Sequence, residues 1–129
     1  MNHALLEVDH LVTEFDTDEG RVRAVDDISF VAREGETLGI VGESGCGKTT
    51  CAKLILGLEA PTAGSILFDG HDVAMLKGAE KRAWRRQVQA VFQDPYAAMN
   101  PRLQIGEILQ EGLIAQNLGG DRAERAARV

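Results

Sequence analysis

A glycine-rich loop at residues 42–50 constrains this chain more than any other feature. It reads Gly42-Glu43-Ser44-Gly45-Cys46-Gly47-Lys48-Thr49-Thr50 and matches the phosphate-binding pattern G-x-x-x-x-G-K-[ST]. The apolar residues 37–41 before it are typical of a buried strand, and residues 48–58 after it are typical of a helix. Strand, loop and helix in this order favour a phosphate site over a glycine-rich turn that binds nothing, because such a turn does not require Lys-Thr at this offset.

The residue types in the loop suit a nucleoside triphosphate. Glycines let the backbone aim successive N–H groups at an anion, and the new helix adds unpaired donors and the positive end of its dipole. We expect Lys48 to reach the β- and γ-phosphates and the Thr49 hydroxyl to ligate Mg²⁺. The glycines do not form the G-x-G-x-x-G pattern of dinucleotide-binding folds. The predicted ligands are therefore ATP and Mg²⁺.

Composition limits the remaining possibilities. A chain of 129 residues makes one domain at most, and 44% hydrophobic with 26% charged residues is typical of a soluble globular protein. No apolar run approaches the ~20 residues of a membrane span, and the N-terminus does not resemble a signal peptide, so we expect a cytosolic chain. The net charge of −6 argues against nucleic acid as a partner. Cys46 and Cys51 are expected to be free thiols.

Hydrophobic spacing and turn residues predict the remaining elements. We predict a strand over 5–15, a second strand pair over 22–31 broken near Asp26-Asp27, a strand over 65–70, a helix over 79–87, a strand over 88–92 and a helix over 105–116. Asp121 with Glu124 three residues later predicts a helix start. Because the sequence stops inside that helix without a C-cap, we expect it to be the N-terminal piece of a longer chain.

The loop, its flanks and the run Val91-Phe92-Gln93-Asp94-Pro95 together resemble the nucleotide-binding subunit of an ABC transporter. The resemblance covers essentially the whole chain. It is closest to importers of dipeptides, oligopeptides, nickel and opines, of which Asn100-Pro101-Arg102 is especially typical. It implies an α/β fold in which a P-loop NTPase core sheet carries an antiparallel β subdomain formed by the N-terminal strands. Residues 1–129 would then be the N-terminal part of an ABC ATPase domain.

The resemblance also implies roles for individual residues. Phe15 would stack on adenine, although a core phenylalanine that ends a strand is an equal alternative. Gln93 would complete the Mg²⁺ coordination and help to place water, whereas the alternative is a solvated loop glutamine. Residues 94–105 would face the membrane subunit. The nucleotide-contacting residues would be Phe15, Gly42, Glu43, Ser44, Gly45, Cys46, Gly47, Lys48, Thr49, Thr50 and Gln93, and the metal ligands would be Thr49 and Gln93.

Three motifs with which this family hydrolyses ATP are absent from the 129 residues. These are an acidic pair after an apolar strand, the signature Leu-Ser-Gly-Gly-Gln and a switch histidine. Residues 66–69 imitate the first, but Gly70 stands where the catalytic Glu belongs, and we interpret them as a strand leading into a turn. Residues 118–121 imitate the second without its serine and glutamine, and we interpret them as a loop between helices. We therefore assign no catalytic residue and expect ATP binding with negligible hydrolysis.

The resemblance implies a function and partners. The chain would belong to an ATP-binding subunit that powers peptide import, lying peripherally at the cytoplasmic face of the inner membrane. Its partners would be the permease subunits and a second ATPase subunit. Two alternatives stay open: a nucleotide-binding or interaction module without catalysis, and a soluble P-loop kinase or ATPase unrelated to transport.

A basic stretch surrounds Trp84. A contact with lipid headgroups or nucleic acid is one interpretation of it. A solvated helix face held down by Trp84 is favoured, because the chain as a whole is acidic. The basic residues are Lys77, Lys81, Arg82, Arg85 and Arg86.

Overall fold

The computed structural model describes residues 3–129, which contain four strands and five helices. The strands are β1 (Ala4–Thr17), β2 (Gly20–Arg33), β3 (Ala63–Phe68) and β4 (His71–Asp72). The helices are α1 (Lys48–Ile55), α2 (Gly78–Gln87), α3 (Pro95–Ala98), α4 (Ile105–Ala115) and α5 (Arg122–Arg128).

The four strands form one antiparallel sheet in the order β2-β1-β3-β4. A tight turn joins β1 and β2 into a long hairpin, and β3 pairs with the other edge of β1. This sheet confirms the predicted antiparallel β subdomain and the strands at 5–15 and 65–70. The predicted strand pair over 22–31 is instead one continuous strand. Asp27 takes a left-handed φ of 51° within it, so the polar interruption becomes a bulge.

The sheet and α1 enclose most of the buried side chains. Leu11 and Thr13 of β1 and Leu54 of α1 are almost completely buried. The other buried apolar residues up to Lys81 are Val8, Val25, Cys51, Ile66 and Val73. Because Cys51 and Leu54 lie three positions apart, they share one face of α1 and anchor the helix that follows the loop.

Two predicted strands, over residues 37–41 and 88–92, are wrong. Neither segment forms a strand, and no ladder within residues 3–129 pairs with either one. A strand exists only through hydrogen bonds to a neighbouring strand, so β-forming side chains alone do not make one. The side chains of Val41 and Val91 are almost fully exposed, which also contradicts the expected burial of the first segment.

The helical predictions are confirmed. Helices α1, α2 and α4 lie within two or three residues of their predicted bounds. The Asp121 carboxylate accepts a hydrogen bond from the Glu124 N–H, as the predicted cap of α5 requires. Residues 118–121 form a loop between helices, and Asp69 follows β3 in a turn. Trp84 is buried while Arg82, Arg85 and Arg86 are exposed, which confirms the solvated basic face of α2.

The described residues divide into two compact units, one ending at Lys81 and the other running from Arg82 to Val129. Among residues 3–129, no helix combines the length and apolar character that crossing a membrane requires.

Candidate nucleotide-binding site

Glycines give the phosphate loop its shape. Gly45 has φ 79° and Gly47 has φ 93°, a left-handed region that residues with a side chain rarely adopt. Gly47 is also the N-cap of α1. A Cβ atom at Gly47 would collide with the carbonyl oxygen of Ala24 in β2, and one at Gly42 would collide with the Cys46 Sγ. The loop therefore needs glycine at position 47 both for its backbone angle and for its close approach to the sheet.

The loop and the start of α1 present unpaired donors. Within residues 3–129, no hydrogen bond occupies the backbone N–H groups of Gly45, Gly47, Lys48, Thr49 or Thr50. The first helical bond of α1 is donated by the Cys51 N–H to the Gly47 carbonyl at 2.9 Å. Five free donors in a curled backbone at the positive end of a helix suit a phosphate chain.

The Lys48 ammonium group donates hydrogen bonds to carbonyl groups of its own loop. Its Nζ donates to the carbonyl oxygens of Gly42 at 2.8 Å and Glu43 at 2.5 Å, and it lies 3.4 Å from the Cys46 Sγ. These contacts hold a positive charge at the loop. The contact of Lys48 with terminal phosphates stays a prediction.

The loop forms one side of an open depression of about 330 Å³. Residues 45–50 line one side, and Val22, Arg23 and Ala24 of β2 line the other. Val22 pairs with Phe15 across the β1–β2 hairpin, so both side chains lie on the same face of the sheet. Phe15 is 39% exposed, so the structure places a partly accessible aromatic ring on the strand next to this wall.

Charged residues of the hairpin form a cluster beside the depression. Glu14 accepts from Arg23 at 2.8 Å and from Arg21 at 3.4 Å. Arg23 also donates to Asp26 at 2.9 Å, and Arg21 donates to Asp16 at 3.1 Å. Hydrogen bonds to Glu14 and Asp26, together with the charges of both carboxylates, raise the pKa of Arg23. The sequence analysis did not single out this cluster, because which acidic residue of β1 faces which arginine of β2 depends on the strand register.

The two cysteines differ in environment. Both are free, with Cys46 exposed and Cys51 buried. Burial raises the pKa of the Cys51 thiol. Cys51 therefore serves as a small apolar core residue on the helix that carries the loop.

Gln93 lies in the unit that begins at Arg82, so its part in the nucleotide site stays a prediction. Its side chain is exposed, and it lies two residues before α3. Asp94 caps that helix by accepting from the N–H groups of Tyr96 and Ala97. Among the described residues, no group of three or more His, Cys, Asp and Glu side chains could hold a metal ion.

The described side chains of the segment predicted to face the membrane subunit are exposed, and local hydrogen bonds order its turns. Asn100 accepts from the Arg102 N–H in a turn, and Gln104 with Glu107 forms a capping box that starts α4. Tyr96 is largely exposed, and Met99 is about 40% exposed. The segment therefore presents apolar and aromatic surface.

Comparison with known proteins identifies the class to which this fold and loop belong. The family model described as ABC transporter matches residues 25–129. The chain therefore belongs to the ABC transporter family, as the sequence predicted.

Individual relatives show which members of this family the chain resembles. The chain is 46% identical over 130 residues to the oligopeptide transport ATP-binding protein OppF of Bacillus subtilis, covering all of this chain and 43% of that protein. It is 48% identical over 127 residues to a protein of Brucella ovis named as a peptide import ATP-binding protein, covering 97% of this chain and 40% of that one. The predicted resemblance to peptide importers is thus confirmed, and the chain spans about two fifths of the length of these relatives.

A solved structure supports the fold. The ATP-binding cassette MJ0796, in a dimeric post-hydrolysis state bound to ADP and Pi, matches with a TM-score of 0.78 and 26% identity, covering 95% of this chain and 53% of that one. The ABC-type α/β fold class predicted from the sequence is confirmed.

Proposed function

We propose that this chain is part of an ATP-binding subunit that powers the import of peptides or related small solutes across the bacterial inner membrane. The observation that supports it is the set of five free N–H groups in the loop of an ABC-family chain. Gly42–Thr50 would hold the phosphates, Phe15 the adenine, and Thr49 with Gln93 the Mg²⁺. When bound, ATP supplies the transferable phosphoryl group, and Mg²⁺ neutralises charge that develops on it.

Lys48 provides the direct test of binding. Its ammonium group stays with loop carbonyls unless a phosphate offers a stronger, charge-assisted partner. We expect Lys48→Ala to abolish the heat of MgATP binding in titration calorimetry. Lys53→Ala is the matched control, because Lys53 carries the same charge on the same helix and is exposed. Equal MgATP affinity in both variants would remove the loop from the site.

We further propose that the 129 residues, as the N-terminal part of an ABC ATPase domain, bind ATP but hydrolyse it hardly at all. The loop provides positioning and charge, yet the sequence contains no acidic pair to hold Mg²⁺ and water and no signature for a partner's loop. Phosphate release from MgATP by the purified chain should stay at the background rate. Multiple turnovers that disappear in Lys48→Ala would contradict this proposal. The candidates for a catalytic carboxylate would then be Asp69, Asp72 and Asp94.

The partners of the proposed subunit are the membrane-spanning permease, a second ATPase subunit and, through the permease, the cytoplasmic face of the membrane. The names of the peptide-import relatives support the first, and the dimeric cassette supports the second. Residues 94–105 offer the exposed surface for the permease. Replacing both Tyr96 and Met99 with alanine should reduce co-purification with a multi-span membrane protein while MgATP affinity is unchanged. Undiminished capture would exclude this segment.

A further inference from the structure

Arg23 occupies a position between the two parts of the proposed site. Its neighbour Val22 pairs with Phe15, and its other neighbour Ala24 supplies the carbonyl against which Gly47 packs. A second depression of about 360 Å³ also adjoins the loop, and Arg23 lines it as well. Arg23 and Lys48 are the two cationic residues that line both depressions.

Arg21 is the natural comparison. Both arginines are on β2, both bond to Glu14, and each bonds to a second carboxylate. Among the described residues, however, Arg21 lines neither depression beside the loop. If the charge cluster served only to stabilise the hairpin, the two arginines would be nearly equivalent. Their different positions relative to the loop separate a structural role from a binding role.

The carboxylates around Arg23 carry the same sign of charge as a phosphate chain, so the positive charge of Arg23 matters for binding one. Asp26 lines the second depression and pairs with Arg23 at 2.9 Å. A phosphate chain in the loop would meet this carboxylate's charge close by. Arg23 is about half exposed, so its guanidinium retains N–H donors for a further partner while bonded to Asp26 and Glu14.

We propose that Arg23 is a nucleotide-contacting residue that binds the phosphate chain between the adenine and the loop. This proposal rests on the proposed ATP site at residues 42–50. Arg23 pairs with Glu14, so its side chain leaves the face of the sheet opposite to Phe15, but β2 is an edge strand and Arg23 lines the depression at that edge. A nucleotide with its base at Phe15 and its terminal phosphates in the loop would cross this edge, and the part that ATP and ADP share there is the phosphate next to the ribose. An arginine fork suits two phosphate oxygens.

Affinity measurements on two nucleotides test this contact. Arg23→Gln should weaken the binding of ATP and the binding of ADP by the same factor, about tenfold, because a charge-assisted contact to their shared phosphate is lost. Arg21→Gln should leave both affinities within about twofold, since it removes the same charge away from the depression. Lys48→Ala should weaken ATP binding more than ADP binding. Equal affinities in Arg23→Gln and Arg21→Gln would overturn the contact, as would a loss for ATP alone.

A double variant separates contact from charge neutralisation. If Arg23 only screens Asp26 from the phosphates, combining Arg23→Gln with Asp26→Asn should restore the original affinity. If Arg23 binds the nucleotide, the double variant should still bind ATP and ADP weakly. Thermal unfolding of each variant verifies that the hairpin is intact. Failure of the proposed function looks different, because then the unmodified chain itself would bind neither nucleotide.

Discussion

The two compact units of this chain use similar apolar spacing with different results. In the unit ending at Lys81, α1 buries Cys51 and Leu54, and the sheet buries Leu11 and Thr13. In residues 82–129, α4 has the same kind of helical apolar pattern but buries no residue. Trp84 is the one buried side chain in the described part of that unit. A hydrophobic pattern therefore predicts the element but not its burial, which requires a packing partner.

This difference has an energetic consequence. Removing apolar surface from water contributes roughly 25 cal/mol per Å², so the sheet and α1 hold most of the hydrophobic stabilisation. Helices α4 and α5 depend on capping and propensity, which are weak in helices of 11 and 7 residues. We expect amide hydrogen exchange to be much slower in β1 than in α4.

A pair of leucines tests the comparison with the largest expected effect. Leu11→Ala should lower the free energy of unfolding by about 2–5 kcal/mol, because Leu11 is fully buried and leaves a cavity. Leu109→Ala should change it by less than about 0.5 kcal/mol, since Leu109 is 56% exposed. Urea unfolding followed by circular dichroism measures both. A comparable loss in both variants would mean that α4 is packed in solution.

A pair of glycines tests the backbone of the two units. Gly47→Ala should destabilise the loop by about 1–3 kcal/mol through its left-handed angle, with a further cost from the Ala24 carbonyl, and should abolish MgATP binding. Gly112→Ala should stabilise α4 by about 0.5–1 kcal/mol, because a methyl group there meets no atom within 4 Å.

Thermal melting and calorimetry of the two glycine variants distinguish the outcomes. A Gly112→Ala variant with a higher melting temperature for the whole chain would show that α4 unfolds together with the sheet. A Gly47→Ala variant that binds MgATP normally would contradict the role of the loop geometry.

The smallest effect concerns His10, whose Nδ1 lies 2.6 Å from an Asp27 oxygen at the hairpin bulge. The hydrogen bond to Asp27, the Asp27 charge and the Asp9 charge raise the pKa of His10 above 6.5. The pair therefore stabilises the folded chain fully below pH 6.5, and this contribution is lost as the pH rises through the folded-state pKa. Both side chains are exposed, so the effect should be slight.

Asp27→Asn is a suitable variant for this pair, because asparagine tolerates the left-handed angle at position 27. Denaturant midpoints on either side of pH 6.5 should fall with rising pH in the parent chain and fall less in the variant. An identical pH dependence in both would show that the pair does not couple to folding.

Local signals predicted much of this molecule from its sequence. The loop, the cap at Asp121 and the Asp69-Gly70 turn each depend on residues close in the chain, so their patterns are specific. The strands expected at 37–41 and 88–92 failed because strand formation depends on a distant partner, which local apolarity does not reveal. The role of Gln93 depends equally on distant neighbours and stays a prediction. The Arg23 cluster arises from strand register, which only the structure determines.

The contact between Gly47 and the Ala24 carbonyl makes nucleotide affinity a property of the sheet as well as of the loop. Opening of β2 removes the surface on which the loop rests, so a ligand that holds the loop also penalises that opening. By linkage, a nucleotide at about 100 times its Kd would add about 2.7 kcal/mol to the stability of the parts that must be folded to bind it. Slowed exchange along β2 on adding MgATP, with α5 unchanged, would thus report binding from residues that do not touch the phosphates.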